Sequence, residues 1–222
     1  MENSLHWRRQ ILLVVAVTLL LFLCLLAWKS ALAYVQHYQV SRMIQGWERY
    51  VDLPPFSEIE QAENKLLKAV ELDADNATYH NELGRVYYYA MNSLGPSDER
   101  STYRERAFSS FSKATELRPA WPHAWANLLL LKTMSEELDG EFQSVLEKVL
   151  MFGPYEKNTE SILLSVGLAY WEKMPDSYRD WFYQNPKRFI SKQNRALFDH
   201  YQKRHLICDK LDDQKRYEWF CN

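Results

Sequence analysis

The segment NELGRVYYYAMNSLGPSDERSTYRERAFSSFSKATELRP, residues 81–119, decides the fold class. Its landmark residues are Leu83, Gly84, Tyr87, Ala107, Phe111 and Pro119. Small residues such as Gly84 and Ala107 let two helices approach closely, and large rings beside them fill the remaining space. The stretch SLGPS, residues 93–97, predicts a loop between these helices, and Pro119 predicts the end of the second one.

The same landmarks recur along the chain. The stretch beginning at Ala62 aligns with the one beginning at Ala107 after a shift of 45 residues, and a further shift of 35 reaches Phe142. This spacing resembles the tetratricopeptide repeat (TPR), in which two antiparallel helices carry Leu-Gly and Tyr on the first and Ala, Phe and Pro on the second. We therefore expect an all-α chain containing a short TPR-like α-solenoid. An ordinary amphipathic helical bundle with coincidental spacing is the alternative.

A long apolar segment stands near the N-terminus. Residues 11–27, ILLVVAVTLLLFLCLLA, include one polar residue, Thr18, and as a helix would extend about 26 Å, nearly the thickness of a bilayer core. Trp7 and Trp28 flank it as interfacial anchors do. We expect a single transmembrane helix. A cleaved signal peptide is the alternative, because residues 31–33, Ala-Leu-Ala, have the form of a cleavage site.

The charges beside this segment predict its direction. Three basic residues precede it: His6, Arg8 and Arg9. Since only Lys29 follows, the positive-inside rule predicts a cytoplasmic N-terminus in a bacterial inner membrane and a periplasmic repeat domain. In that compartment Cys208 and Cys221 either form a disulfide or remain two unrelated thiols.

The segments around the repeats have weaker patterns. Residues 31–50 continue the apolar segment as a predicted helix, and Leu-Pro-Pro at 53–55 ends it. Ser57 with Glu60 has the form of a capping box that starts the next helix. The predicted segments are a cytoplasmic tail (1–10), a transmembrane helix (11–28), a linker helix (29–56), TPR-like repeats (57–174) and a helical C-terminal cap (175–222).

Beyond Pro154 the repeat becomes less regular. Val166-Gly167 with Tyr170 resembles the first helix of another repeat, whereas Leu163-Leu164 fits the expected phase better. Asn158 is the expected N-cap of this helix. A long amphipathic helix is predicted in the cap from three apolar positions: Leu197, Tyr201 and Leu206.

Part of the chain resembles a known family. The block RPAWPHAWANLLLLK (118–132), then Gly-Glu-Phe (140–142) and GPYEKNTESILLSVGLAYW (153–171), is similar to VpsP-type accessory proteins of bacterial exopolysaccharide biosynthesis. The resemblance covers roughly residues 60–175. It implies a short inner-membrane-anchored repeat protein that takes part in surface-polysaccharide or biofilm-matrix assembly.

The residues give little sign of catalytic chemistry. The sequence lacks a phosphate-binding loop, a paired-cysteine zinc motif and a nucleophile elbow, so we expect a protein that is not an enzyme and needs no cofactor. The best metal candidates, His200, His205 and Cys208, are spaced too unevenly to converge from one helix, so no metal site is predicted. The acidic clusters are interpreted as solvated charge near helix starts and turns: Glu58, Glu60, Glu63, Glu136, Glu137 and Asp139.

We expect the function to lie in a groove lined by the first helix of each repeat, since such repeats bind peptides or partner helices there. The predicted groove residues are Asn81, Arg85, Tyr88, Tyr89, His123, Asn127 and Leu130. Lys plus Arg (27) nearly balances Asp plus Glu (29), which argues against nucleic acid as the partner. The sequence therefore favours a membrane-anchored scaffold for protein partners, among them polysaccharide-synthesis or export machinery.

The alternative is an anchored protein that binds or modifies glycans, with aromatic rings stacking on sugars. Its candidate rings are Tyr87, Tyr88, Tyr89, Trp121, Trp125 and Trp171.

Overall fold

The computed structural model describes residues 2–49, 53–211 and 214–221, and these are helical with no strand, which confirms the predicted all-α class. The α-helices in this part of the chain are α1 Glu2–Trp47, α2 Phe56–Leu72, α3 Ala77–Ser93, α4 Asp98–Leu117, α5 Pro122–Met134, α6 Gly140–Phe152, α7 Lys157–Ala169, α8 Asp176–Gln184, α9 Lys192–His200, α10 His205–Cys208 and α11 Gln214–Cys221. Short 3-10 turns occupy Trp171–Lys173 and Pro186–Phe189. Residues 1, 50–52, 212–213 and 222, which belong to the predicted tail, linker and cap, lie outside the described residues, as do the side chains of His6 and Arg8.

The chain forms two compact units. The first is Met1–Leu117 and holds α1 to α4, and the second is Arg118–Asn222 and holds α5 to α11.

Helix α1 has two parts with different surroundings. Its apolar part is long and hydrophobic enough to cross a membrane, and none of its most apolar 18-residue window is buried within the protein. The hydroxyl of Thr18 donates to the carbonyl oxygens of Val14 (3.0 Å) and Val15 (2.9 Å), so the one polar side chain of the span is satisfied within the helix. The second part, from Ala33 to Trp47, packs against other helices.

This second part of α1 forms the first helical hairpin with α2. Four residues of α1 at helical spacing are buried: Ala33, Val40, Ile44 and Trp47. They face the buried stripe of α2: Ile59, Ala62, Leu66 and Ala69. Lys65 of α2 donates to Gln39 of α1 over 2.6 Å. The predicted linker helix is therefore a packed helix of the first unit.

The second hairpin consists of α3 and α4, and its contact is the one that the sequence predicts. Ala107 and Ala114 of α4 are fully buried, and the ring of Phe111 lies directly over Gly84 of α3. Helix α3 ends at Ser93 and α4 begins at Asp98, which confirms the predicted loop. Arg100 holds this connection by donating to the carbonyl oxygens of Met91 (2.8 Å) and Leu94 (3.0 Å).

The repeat register is confirmed by the helix ends. The second helices α2, α4 and α6 end at Leu72, Leu117 and Phe152, which the shifts of 45 and 35 residues bring into alignment. The following helices α3, α5 and α7 begin at Ala77, Pro122 and Lys157, which the same shifts align. Helices α5 and α6 thus form the third hairpin, and its end is tight because a Cβ on Gly153 would lie 2.5 Å from Pro122 Cβ.

Helix α7 combines the two readings that the sequence left open. Leu163 and Leu164 are buried in the expected repeat phase. Gly167, one turn later, accommodates Tyr178 of α8, whose fully buried hydroxyl donates to the carbonyl oxygen of Leu163 over 2.9 Å. Burial raises the pKa of Tyr178, so this hydroxyl stays protonated and remains a donor.

Two predicted helix starts are wrong. Helix α2 begins at Phe56 instead of in a Ser57 capping box, because the carbonyl oxygen of Pro55 already accepts from the N–H groups of Glu58 and Ile59. Helix α7 is capped by Glu156 instead of Asn158. The Glu156 carboxylate reaches two N–H groups, those of Asn158 (3.1 Å) and Thr159 (3.2 Å).

The long amphipathic helix predicted through residues 197–206 is also wrong. Helix α9 ends at His200, and Gln202 has a left-handed backbone with φ of 55°. The N–H of Lys203 bonds back to the carbonyl oxygen of Phe198 (2.9 Å), which closes a Schellman-type helix end. The chain then turns into α10. A disulfide joins Cys208 to Cys221, and Phe220 of α11 is buried against the ring of Phe198.

Candidate functional site

The predicted groove residues belong to two helices in different units. Asn81, Arg85, Tyr88 and Tyr89 lie on α3 of the first unit, and His123, Asn127 and Leu130 lie on α5 of the second.

On α3, the guanidinium of Arg85 is already engaged by carboxylates. It donates to Glu82 one turn earlier at 3.0 and 3.2 Å, and it forms a close ion pair with Glu48 at the end of α1. A carboxylate ligand at this position would therefore compete with two acidic side chains of the same chain. Asn81 is buried, so its amide lies beneath the surface of the helix.

The tyrosines of α3 are covered in part by the last turn of α1. The ring of Tyr89 meets Trp47 edge-on with centroids 5.1 Å apart, and Tyr88 meets Tyr89 edge-on at 6.2 Å. The indole N–H of Trp47 donates to Glu58 of α2 over 3.1 Å, which fixes the indole over α3. Burial raises the pKa of both Tyr88 and Tyr89, so both remain neutral hydroxyl donors near pH 7.

Tyr87, on the opposite side of α3, has a packing role. Its ring is buried, and Arg106 lies over it at 5.8 Å while donating to Glu63 over 3.2 Å. Burial, followed by the charge of Glu63, raises the pKa of Tyr87 to about 12. This ring is unavailable for stacking on a sugar.

On α5, His123 is part of the junction with α7. Its ring nitrogen lies 3.8 Å from the Glu156 carboxylate that caps α7, and its ring meets Trp121 edge-on at 5.8 Å. Asn127 and Leu130 are half-buried on the same helix. The surface of α5 thus presents a small mixed patch of an imidazole, an amide and an aliphatic side chain.

The remaining glycan-stacking candidates are also engaged within the protein. Arg118 covers the ring of Trp121 at 5.1 Å, and the indole N–H of Trp125 donates to the carbonyl oxygen of Pro119 over 2.7 Å. Trp171 is buried against Phe182.

A polar cluster surrounds Lys132, which is not among the predicted site residues. Lys132 of α5 is 2% exposed, and its Nζ lies 2.8 Å from Glu141 and 3.4 Å from both Glu137 and Asp139. Burial opposes the charge, but the hydrogen bond and charge of Glu141, followed by Asp139, outweigh it and raise the pKa of Lys132. The available signal was a lysine that directly follows four consecutive leucines, residues 128–131.

Two of the acidic residues interpreted as solvated charge therefore have a structural partner in Lys132. Glu137 and Asp139 surround Lys132, and Asp139 also caps α6 by accepting from the N–H of Phe142 over 2.9 Å. Glu136 has a left-handed backbone with φ of 57° at the end of α5, where the N–H of Glu137 bonds back to the carbonyl oxygen of Lys132 (2.9 Å). This turn folds Glu137 towards the ammonium group.

An open hollow of about 450 Å³ lies in the second unit. It is lined by residues 183–188 and by Lys210, and so includes the cations Lys187 and Arg188. Arg188 pairs with Glu160 over 2.7 Å, and Lys210 lies over the ring of Tyr183 at 5.4 Å. Among the described residues, no group of three or more His, Cys, Asp or Glu side chains is arranged to hold a metal ion.

Comparison with solved structures supports the repeat assignment. The human IFIT1 dimer with m7Gppp-AAAA, a TPR-containing helical protein, superimposes with a TM-score of 0.61 at 13% sequence identity. The match covers 85% of this chain and 45% of that chain. The fold is a TPR-like helical fold. The sequence matches no protein-family model and no curated protein. The likeness at this identity concerns the fold, and the VpsP-type resemblance has no support from these comparisons.

Proposed function

We propose that this chain is a membrane-anchored scaffold whose TPR-like hairpins bind protein partners beside the membrane, without a catalytic role of its own. The observation that carries this proposal is the continuity of α1, which runs from the apolar segment into the packed first hairpin without a break. A helix of this kind would hold the hairpins of the first unit at a fixed height above the bilayer, as a scaffold for membrane enzymes requires. TPR-like folds in general mediate protein–protein interaction.

The proposed setting is a bacterial inner membrane, with the N-terminus in the cytoplasm and the repeats in the periplasm. The excess of basic residues before the apolar segment and the Cys208–Cys221 disulfide support this sidedness. The proposed process is exopolysaccharide or biofilm-matrix biosynthesis, and it rests on the VpsP-type resemblance of residues 118–132 and 153–171 alone.

Site-specific photo-crosslinking in native membranes tests the scaffold function. Crosslinking residues placed at Tyr88 on α3 and at Leu130 on α5 should yield the same partner, identified by mass spectrometry as a membrane protein of polysaccharide synthesis or export. The matched control is Lys113, which is exposed on α4, the second helix of its hairpin. Equal adducts from all three positions, or none from Tyr88 and Leu130, would contradict the proposal.

Sidedness has its own test. An alkaline phosphatase fused after residue 222 should be active and a fluorescent protein that folds only in the cytoplasm should be dark. The mass of the membrane-bound protein distinguishes a retained anchor from cleavage near Ala33.

A second candidate function is the binding of an anionic glycan in the hollow at residues 183–188. The cations of that hollow favour it, since they suit a uronate or phosphate group. Titration of an oligouronate should show binding that the variant Lys210→Ala weakens and that Lys215→Ala, a control in α11 outside the hollow, leaves unchanged.

A further inference from the structure

The spacing of tryptophans along α1 fits a bilayer. Trp7 and Trp28 are 66% and 65% exposed and lie 21 residues apart, which on a helix is about 32 Å. The hydrocarbon core of a bilayer is about 30 Å thick, and tryptophans prefer its two edges. If the anchor spans the membrane as proposed above, Trp28 marks the edge on the side of the repeats.

Beyond Trp28, α1 keeps an exposed apolar and aromatic face. Leu32, Tyr34, Val35 and Tyr38 are 39%, 58%, 49% and 54% exposed, and the rings of Tyr34 and Tyr38 stack with centroids 6.2 Å apart. The opposite side of the same turns is buried against the hairpins through Ala33 and Val40. The exposed face continues the lipid-facing surface of the span. We therefore expect it to contact the membrane interface, where tyrosines are enriched.

Helices α2 and α3 of the first unit lie along the second part of α1. Helix α2 runs antiparallel to α1, because Trp47 contacts Glu58 near the start of α2 and Gln39 contacts Lys65 further along it. Helix α3 runs parallel to α1, because His37 meets Tyr79 and Glu48 meets Arg85. The connection between α2 and α3, residues 73–76, is therefore at the membrane end of the first unit, and the α3–α4 loop is at the far end.

The height of that connection follows from α1. Ala33 packs in one cluster with Ala69 and Tyr79, next to the connection, and it lies five residues beyond Trp28. Five residues of helix rise about 7.5 Å, which is about the depth of one headgroup layer. The end of α2 and the start of α3 are thus level with the headgroups.

We propose that the α2–α3 connection, together with Tyr34 and Tyr38, forms a docking surface for phospholipid headgroups, in which the carboxylates of Asp73 and Asp75 suit the ammonium group of phosphatidylethanolamine. This surface fixes the first unit against the bilayer instead of leaving it free above the membrane. The inference rests on the anchor function proposed above.

Spin-label accessibility in full-length protein tests the proposal. The protein, with Cys24→Ser to remove its free thiol, is reconstituted in vesicles of phosphatidylethanolamine and phosphatidylglycerol. A label at Asp75→Cys in the connection should show an oxygen-to-nickel accessibility ratio several-fold higher than one at Gly95→Cys in the α3–α4 loop. Both sites are exposed, and the length of α3 separates them by about 25 Å.

The outcomes separate the two proposals. Release of the protein by alkaline carbonate would overturn the anchor. Retention with equal, water-like ratios at both sites would overturn the docking surface and leave the anchor intact. A Tyr34→Ser, Tyr38→Ser double variant should lower the ratio at residue 75 towards that at residue 95. Efficient disulfide dimerisation of Tyr38→Cys would instead assign the exposed face to a second copy and overturn the lipid assignment.

Discussion

Gly84 leaves the space that the ring of Phe111 occupies: a Cβ at residue 84 would lie 2.6 Å from the ring carbons Cδ1 and Cε1 of Phe111. The contact joins α3 to α4, and both residues lie at landmark positions of the repeat. A ring that is 2% exposed has little room to move away.

The substitution Gly84→Ala should therefore destabilise the second hairpin by about 1–3 kcal/mol, since overpacking outweighs the helix propensity that alanine adds. Denaturant unfolding followed by circular dichroism measures it. Gly46→Ala is the matched control, because nothing lies within 4 Å of its added Cβ and its unfolding free energy should stay level or rise. Similar losses from both substitutions would show that the Phe111 contact is not the cause.

The buried lysine of α5 gives a second prediction. Lys132→Met keeps the apolar stem but removes the hydrogen bonds to Glu141, Glu137 and Asp139, so unfolding should require about 1.5–3 kcal/mol less. Lys113→Met removes only an exposed pair with Glu116 and should change stability by less than about 0.5 kcal/mol. If the two variants unfold at the same denaturant concentration, the Lys132 cluster contributes no more than a surface pair.

The N-cap carboxylate of α7, Glu156, predicts that the stability of the protein depends on pH. Burial raises the pKa of Glu156, but the N–H of Thr159, the charge of His123 and further hydrogen bonds lower it by more, so the folded pKa lies below the ordinary value. A carboxyl group with a depressed folded pKa stabilises the protein above its unfolded pKa of about 4.3, and this contribution disappears as the pH falls through the folded pKa.

Wild type should therefore exceed Glu156→Gln in stability at about pH 5.5, where the Glu156 carboxylate is ionised, and the gap should close in more acidic solution. Thermal unfolding at a series of pH values measures the gap. The exposed Glu147→Gln on α6 is the control. A gap that widens in acid would contradict the assigned role of the carboxylate.

The end of α1 contacts the neighbouring helices through a buried side chain, Trp47, and through an ion pair of Glu48, and the two contributions to stability can be measured separately. Trp47→Ala should destabilise the first unit by about 3–5 kcal/mol, because Trp47 is buried and its N–H binds Glu58. Glu48→Ala removes only a partly exposed pair with Arg85 and should lower stability by less than about 1 kcal/mol. Hydrogen exchange at the amides of α2 and α3 measures both effects, and equal losses would contradict this division.

The C-terminal disulfide should hold α11 in place. In Cys208→Ser with Cys221→Ser, we expect α11 to detach from Phe198 and become accessible to protease, with a loss of about 2–4 kcal/mol in that region. Limited proteolysis with mass analysis locates the cleavage. Wild type treated with reductant should behave like the variant, and full protection of both would show that the contact of Phe220 alone retains the helix.

The sequence predicts the hairpins well where the repeat register fixes the helix ends and where the size of a residue fixes a contact. Leu72, Leu117 and Phe152 end the second helices, and Gly84 meets Phe111, because only a small residue fits under a ring. The packing of α1 was harder to foresee. Ala33, Val40 and Ile44 have helical spacing, but Leu32 and Val35 on the same turns are equally hydrophobic, and tertiary contacts alone determine which face is buried.

Two features that depend on contacts between distant residues could not be predicted: the helix ends in the C-terminal cap, and the ion pairing of the predicted groove residues. Gln202 adopts a left-handed backbone that glutamine seldom adopts by itself, so no local pattern announces the end of α9. The sequence predicts Arg85 as a groove residue, yet Glu48, which comes 37 residues earlier, reaches it because α1 and α3 pack side by side. The predicted groove residues remain a prediction for the crosslinking experiment to test.

Helix α1 runs without a break from the apolar segment into the first hairpin, so its length also determines how the first unit is rotated relative to that segment. Along a continuous helix each residue is rotated by about 100° from the one before it, so one residue inserted between positions 28 and 33 would rotate the first unit by that angle about the helix axis, relative to the apolar segment. An insertion of about seven residues, close to two full turns, would restore the original rotation and move the first unit roughly 10 Å further along the helix axis. The rotational position of the first unit relative to the faces of the apolar segment is thus set by the number of residues between them.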